Sequence, residues 1–170
     1  VGTILAEDIF SGPESSNPKY ITCGSGKVWF SANTPNFGRE LWQKTPYLNA
    51  SMVSDIFPGP SSSNPANLKV IDGELYFGAT NGISGAEPYK TLGSACSTIS
   101  LGDIYTGDAG SFPEFIDLVN DKVLMFATSV IYGRELMAID ATVNPIVQNV
   151  NACQSYIWSI SGDTLNNSGY

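Results

Sequence analysis

The chain has 170 residues, of which 42% are hydrophobic and only 14% charged, with a net charge of −8 and no histidine. This composition suits one well-filled core, and it provides no basic surface for nucleic acid or anionic membranes. No apolar run approaches the roughly 18 residues of a membrane-spanning helix, so we expect no membrane insertion.

In chain order, residues 3–9 are predicted to form a short extended strand, and residues 12–18 a loop rich in Gly, Pro and Ser. Sets of four short strands follow at about 19–57, 67–105 and 115–150. The Asp72-Gly73 pair predicts a two-residue hairpin turn within the second set. Pro88 predicts an edge or a distorted strand, and Tyr156–Ile160 alternates like a last strand. Helical periodicity is absent, so helix content should be very low.

Four sequence blocks recur three times along the chain at nearly constant spacing. An Asp-Ile pair is followed by a glycine, a proline and an apolar block ending in alanine, and then by a Gly-x-Glu block. The period is 47 and then 48 residues, which is typical of an array of supersecondary units. The recurring members are Asp8, Asp55 and Asp103, followed by Gly38-Arg39-Glu40-Leu41-Trp42, Gly85-Ala86-Glu87-Pro88-Tyr89 and Gly133-Arg134-Glu135-Leu136-Met137.

Short strands at even spacing, with an aromatic and glycine signature per unit, are typical of propeller blades. We therefore predict an all-β fold, a β-propeller-like array of three four-stranded antiparallel repeats with extra terminal strands. A single repeat domain would span residues 1–160, and 161–170 would form a loose tail. The predicted repeats cover about 8–54, 55–102 and 103–150, with a partial fourth repeat at 151–160.

These residues resemble the ELWxxDGT-repeat family. The resemblance rests on Gly38-Arg39-Glu40-Leu41-Trp42, on the Asp-Ile-x-x-Gly-x-x-Ser-Ser-x-Pro loops at 8–18 and 55–65, and on Leu75-Tyr76-Phe77. It implies a β-propeller-like array in an extracellular or surface protein. The chain departs from the family pattern by carrying Lys44-Thr45-Pro46 where Asp-Gly-Thr would follow the tryptophan, and by replacing tryptophan with Met137 in the third copy.

The recurring carboxylates allow two interpretations. A ring of acids could bind calcium, but the dense oxygen cluster of a calcium loop is missing. We favour a structural role, in which each aspartate caps its own loop and each glutamate pairs locally with Arg39 or Arg134. We therefore predict no catalytic residue, no metal site and no cofactor. The residues assigned to the repeat structure are Asp8, Asp55, Asp103, Glu40, Glu87, Glu135, Trp42 and Tyr89.

Three cysteines, Cys23, Cys96 and Cys153, lack the close spacing of zinc ligands and are candidates for disulfides. Either one structural disulfide leaves one buried thiol, or the odd cysteine bonds to a neighbouring molecule. Two sequons predict covalent glycans at Asn49 and Asn166. The first residue is Val1, so we expect a processed chain or an excised segment of a secreted protein, at a cell-surface appendage or in a matrix.

Three repeats are too few to close a propeller, and an open array exposes faces and edges that require a partner. We expect the terminal strands to complete a neighbouring copy by strand addition, so that the partner is the protein itself. The prediction is a non-enzymatic extracellular structural protein, a self-assembling subunit of a surface filament or sheath, or of a ring if the contact closes. The assembly strands would contribute Ile4, Leu5 and Ile9, and Tyr156, Ile157, Trp158 and Ile160.

Three alternatives remain open. The chain could be one piece of a longer single-chain propeller. It could be a lectin-like module with pockets between repeats. Exposed aromatic rings would favour this interpretation, and buried rings would oppose it. An enzyme ranks third, because a hydrolase would need a close pair of carboxylates in a cleft. The rings of the lectin alternative are Trp29, Trp42, Tyr76 and Tyr89.

Overall fold

The computed structural model describes residues 2–142. Within this range eleven strands form three antiparallel sheets, and one 3-10 turn at Ala95–Ser97 is the only helical element. Sheet 1 contains β1 (Lys19–Gly24), β2 (Lys27–Thr34), β3 (Gly38–Lys44) and β4 (Ser51–Ser54). Sheet 2 contains β5 (Ala66–Ile71), β6 (Glu74–Ala79), β7 (Glu87–Thr91) and β8 (Ile99–Ser100). Sheet 3 contains β9 (Glu114–Val119), β10 (Lys122–Ser129) and β11 (Gly133–Asp140).

Each sheet is a simple meander, in which strands that follow one another in sequence are hydrogen-bonded neighbours. The first hairpin of each sheet turns through two residues with positive φ, at Ser25-Gly26, Asp72-Gly73 and Asn120-Asp121. Two successive positive φ angles define the type I′ turn, whose twist matches that of the flanking strands. The hairpin turn predicted at Asp72-Gly73 is therefore confirmed.

The sheets stack face to face, and each sheet has a front face and a back face. The back of sheet 1 packs on the front of sheet 2 to form the first core cluster, and the back of sheet 2 packs on the front of sheet 3 to form the second. Because side chains alternate along a strand, each central strand contributes to both faces. The front faces of sheets 1, 2 and 3 carry, in that order, Val28 and Phe30, Leu75 and Phe77, and Val123 and Met125. In the same order, the back faces carry Trp29 and Leu41, Tyr76 and Pro88, and Leu124 and Leu136.

Aromatic side chains dominate both interfaces between sheets. Phe77 stacks on Tyr89 with ring centroids 5.8 Å apart, and Trp29 lies in the same cluster with 1% of its surface exposed. In the second cluster the rings of Tyr76 and Phe115 are 5.4 Å apart. Burial of such a side chain contributes about 1.5–3 kcal/mol, so neighbouring sheets hold one another in place.

One local prediction is wrong, and a second is correct in one of its two forms. Residues 3–9 form no strand, because they cross the front of sheet 1, where the Glu7 carboxylate accepts hydrogen bonds from the Ala50 amide and the Lys44 ammonium. Pro88 does not mark an edge strand, since β7 lies between β6 and β8 and the Pro88 carbonyl accepts a bond from Leu101 N. The predicted distortion does appear, because β8 pairs with only two residues of β7.

The predictions for the end of the chain fall outside the described residues. They concern the fourth strand of the third repeat, the partial fourth repeat at 151–160 and the tail at 161–170. Between residues 2 and 142, no helix is long and apolar enough to cross a bilayer.

Candidate functional site

The glutamate of the Gly-x-Glu block binds the loop that leads to the next sheet. Glu40, at the start of β3, is fully buried and accepts hydrogen bonds from Ile56 N at 3.2 Å, Ser63 N at 3.0 Å and the Ser63 hydroxyl at 2.5 Å. Burial raises the pKa of the Glu40 carboxyl to about 7, although the bonds from Ser63 oppose this shift. The carboxylate therefore ties sheet 1 to the connection with sheet 2.

The second repeat forms the same contact one period later. Glu87 accepts bonds from Ile104 N at 2.9 Å, Ser111 N at 2.9 Å and the Ser111 hydroxyl at 2.7 Å. Ser111 and Glu87 are both buried, like Ser63 and Glu40. We call each of these contacts a glutamate lock, and the locks connect sheet 1 to sheet 2 and sheet 2 to sheet 3.

The loops that receive the glutamates share one backbone conformation. The residue before each loop proline has positive φ, with values of 45° at Asn17, 50° at Asn64 and 49° at Phe112. The carbonyl of the preceding serine also accepts the same bond in each repeat, from Asn33 N to Ser16, from Thr80 N to Ser63 and from Thr128 N to Ser111. The first loop, residues 8–18, thus has the lock geometry although no glutamate of the described chain binds it.

In the first two repeats, the glycine two residues before the glutamate lies against the loop that the glutamate binds. A Cβ on Gly38 would lie 2.1 Å from the Ser61 carbonyl oxygen, and one on Gly85 would lie 2.3 Å from Gly110 N. Only glycine permits this approach of backbone to backbone. A Cβ on Gly133, in the third copy, would meet no atom of residues 2–142 within 4 Å.

The third glutamate and the first loop are therefore the unmatched halves of a lock. Glu135 is exposed, and its carboxylate makes no hydrogen bond to any residue between 2 and 142. In the first loop, Ile9 N and the amide and hydroxyl of Ser16 hold the repeat positions of the donors that bind Glu40 and Glu87, and within the described chain they bind no carboxylate. One half lies on sheet 3 and the other at the front of sheet 1.

An apolar groove of about 740 Å³ lies at the front of sheet 1, beside these loop residues. Ala6 and Ile9 line it from the N-terminal segment, at the repeat positions that Val53 and Ile56 hold in the first core cluster. The groove is thus the position that the back of a preceding sheet would fill. Its apolar lining includes Leu5, Ile9, Pro18, Ile21, Val28 and Phe30.

The back of sheet 3 is the opposite open end of the stack. Phe126 pairs across the strands with Leu136, and these side chains are 42% and 57% exposed. Their counterparts on sheet 1, Ser31 and Leu41, are completely buried against sheet 2. An apolar face that is buried in two sheets is therefore exposed in the third.

The structure corrects the predicted partners of the glutamates. Arg39 donates to the carbonyl and hydroxyl of Ser31 and not to Glu40, because neighbouring residues of a strand point to opposite faces. Likewise Arg134 forms an ion pair with Glu114 at 3.0 Å instead of Glu135. The predicted aspartate cap is confirmed at Asp55, whose carboxylate accepts a bond from Gly59 N. No such bond forms in the described chain at Asp8 or Asp103.

The remaining predicted site residues do not converge. Cys23 is an exposed free thiol, so the prediction of a buried odd thiol is wrong, and Cys153 lies beyond the described residues. Asn49 is exposed in the loop between β3 and β4, where a glycan would be sterically accessible, and Asn166 also lies beyond the described range. Between residues 2 and 142, no group of three acidic or cysteine side chains could hold a metal ion.

Sequence reasoning did not find the serine partners of the glutamates or the groove. The serine eight residues after each Asp-Ile pair was visible as part of the repeat, at Ser16, Ser63 and Ser111. Its partner could have been inferred only from the nearly constant spacing in sequence, 23 residues between Glu40 and Ser63 and 24 between Glu87 and Ser111.

Comparison of the chain with protein-family models, with curated proteins and with solved structures gives no match. The resemblance to ELWxxDGT repeats therefore rests on the motif residues alone. Functional inference has to come from the geometry of the described residues.

Proposed function

We propose that this protein is a self-assembling structural subunit whose copies associate head to tail, the back of sheet 3 in one copy against the front of sheet 1 in the next. One observation carries this proposal. The two open ends of the stack are the two halves of an interface that the chain already forms twice internally.

The apolar residues at the two ends match those of the internal interfaces. In the first cluster, Trp29 and Leu41 pack against Leu75 and Phe77 of the next sheet. Leu124 and Leu136 hold the positions of Trp29 and Leu41 on sheet 3, and Val28 and Phe30 hold those of Leu75 and Phe77 at the groove. Covering each large side chain would contribute up to about 1.5–3 kcal/mol, so several together can stabilise a contact.

One position shows that the new interface would differ in detail from the internal ones. Phe126 stands where sheet 2 has Gly78, and a Cβ on Gly78 would already approach the Pro113 ring to 3.2 Å. A neighbouring copy must therefore accommodate the Phe126 ring by moving Pro18, the counterpart of Pro113. The groove beside Pro18 offers the space for that ring.

A head-to-tail contact uses two different surfaces, so it generates a filament unless the rotation between copies closes a ring. We propose the filament, and place it outside the cell as a glycosylated surface appendage, sheath or matrix. The low charge content and the exposed sequon at Asn49 support this location. The main alternative assembly is a closed pair of two copies. Such a pair would contain six sheets, and propellers close with about four to eight blades.

The lectin-like alternative loses support from the burial of three of its four aromatic rings. Trp29, Tyr76 and Tyr89 are 1%, 2% and 7% exposed, because they fill the interfaces between sheets. Stacking on a sugar requires an open ring face, so these three rings offer no platform.

The proposal is tested by light scattering and negative-stain imaging of the wild type and of Leu136→Gln between about 1 and 100 μM. We expect the wild type to form particles well above 18.1 kDa. Leu136→Gln should shift association to at least tenfold higher concentration. Ile83→Gln is the matched control, because Ile83 is similarly exposed but lies away from both end faces. A monomeric wild type, or equal loss in both variants, would refute the proposal.

A further inference from the structure

We propose that residues 3–16 of a neighbouring copy complete sheet 3, and that Glu135 locks them in place by accepting hydrogen bonds from the neighbour's Ile9 N and Ser16. This inference rests on the proposed head-to-tail association and identifies the residues that determine its register. The occupant is a second copy of this chain.

The N-terminal segment is the repeat counterpart of a fourth strand. Residues 4–7 stand at the positions of β4 (51–54), and Asp8-Ile9 follow them as Asp55-Ile56 follow β4. β4 pairs with β3 and β8 pairs with β7, each as the outer strand of its sheet. Between residues 2 and 142, residues 4–7 pair with no strand and β11 has no outer partner. Residues 4–7 of a second copy would therefore supply an outer strand to sheet 3.

The lock residues correspond in the same way. Glu40 binds the loop 56–63 and Glu87 binds the loop 104–111, each from the preceding sheet. The loop 9–16 already has the required conformation, including the bond from Asn33 N to the Ser16 carbonyl. A carboxylate that accepts three bonds from preorganised donors is held far more firmly than an exposed one. The exposed Glu135 and the open space at Gly133 supply the matching half.

The chain's own continuation carries a serine at the lock spacing, Ser159, but lacks two markers that the complete loops share. Every complete loop has a glycine four residues and a proline ten residues after the aspartate. One period beyond Asp103, residues 154–155 are Gln-Ser and residues 160–161 are Ile-Ser, so both conformational markers are missing. Within the described chain no glutamate binds the loop at 8–18, and Glu135 of a second copy would supply one.

Two complementary variants test the lock directly. Glu135→Ala removes the acceptor on sheet 3 but leaves the front of sheet 1 and its loop intact. Ser16→Glu places a carboxylate opposite the neighbour's Glu135 but leaves sheet 3 intact. We expect each variant alone to associate ten- to a hundredfold more weakly than the wild type, the range for losing hydrogen bonds to a charged group. An equimolar mixture should form a one-to-one pair of about 36 kDa, twice 18.1 kDa, because one junction is native.

Asp108→Ala and Ser11→Glu are the matched controls. Asp108 is an exposed carboxylate away from both end faces, and Pro58 and Thr106, the repeat counterparts of Ser11, stay exposed beside the filled locks. Both variants should associate like the wild type. If the wild type associates but Glu135→Ala does too, the lock is wrong while the proposed function survives. If Glu135→Ala instead lowers the thermal stability of the monomer, the chain's own residues occupy the site, and the inference is overturned. A monomeric wild type would refute the inference and the proposed function together.

Discussion

The Ser63 hydroxyl donates a 2.5 Å hydrogen bond to the Glu40 carboxylate, and both side chains are completely buried. Ser111 and Glu87 repeat this relationship at 2.7 Å. A contact that recurs with its flanking backbone bonds is part of the repeat itself. The repeats are thus connected by buried polar locks as well as by apolar packing.

We predict that at pH 8, above the pKa of about 7 at Glu40, Ser63→Ala and Ser111→Ala each lower the free energy of unfolding by about 1–3 kcal/mol, because each removes a hydrogen bond to a buried carboxylate. Ser16→Ala should change it by less than about 0.5 kcal/mol in the monomer, since no carboxylate of the described chain binds Ser16. Urea denaturation at low protein concentration measures all three. Equal effects at the three serines would contradict the distinction between filled and empty locks.

Glycine substitutions separate backbone strain from steric conflict. Gly38 and Gly133 have φ values of 58° and 70°, so alanine at either position costs about 1 kcal/mol in conformational strain. Gly38→Ala additionally forces a methyl group onto the Ser61 carbonyl, whereas the space beside Gly133 is open. We therefore expect Gly38→Ala to lower the melting temperature several degrees more than Gly133→Ala. Equal melting temperatures would show that the loop moves away at little cost.

Stability should depend on the protonation of Glu40. The pKa of this carboxyl in the folded protein is about 7, above its usual 4.5, so the folded state retains the proton to higher pH than the unfolded state. The stabilising contribution is complete below about pH 4.5 and is lost as the pH rises through 7. We expect the urea midpoint to fall between pH 5 and 8 by more in the wild type than in Glu40→Gln. Parallel pH profiles would contradict this assignment.

Cys23 provides a chemical probe of the groove at the front of sheet 1. Its thiol is exposed and lines the groove, so we expect rapid labelling by a maleimide in dilute native protein. Labelling should slow at concentrations where copies associate, and a bulky label should block association. Mass spectrometry of the labelled peptide measures both effects. A label that leaves association unchanged would show that the groove stays empty.

The repeats, their strand order and the hairpin at Asp72-Gly73 were predictable because spacing and turn chemistry are local properties. Side-chain alternation also made the packing of Trp29 and Tyr76 between repeats predictable. The role of Glu40 was not predictable from its neighbour Arg39, because its partner lies 23 residues away across a loop. The path of residues 3–9 was missed for a similar reason. Their sequence is that of a strand, but the sheet with which they would pair is absent from the described chain.

The most direct test is the mass of the wild-type protein, measured by light scattering over a concentration series from about 1 to 100 μM. Head-to-tail association predicts a mass that rises with concentration to large multiples of 18.1 kDa, with filaments visible by negative stain. A mass that stops at twice this value would indicate a closed pair in place of a filament. A constant 18.1 kDa at every concentration would contradict self-assembly.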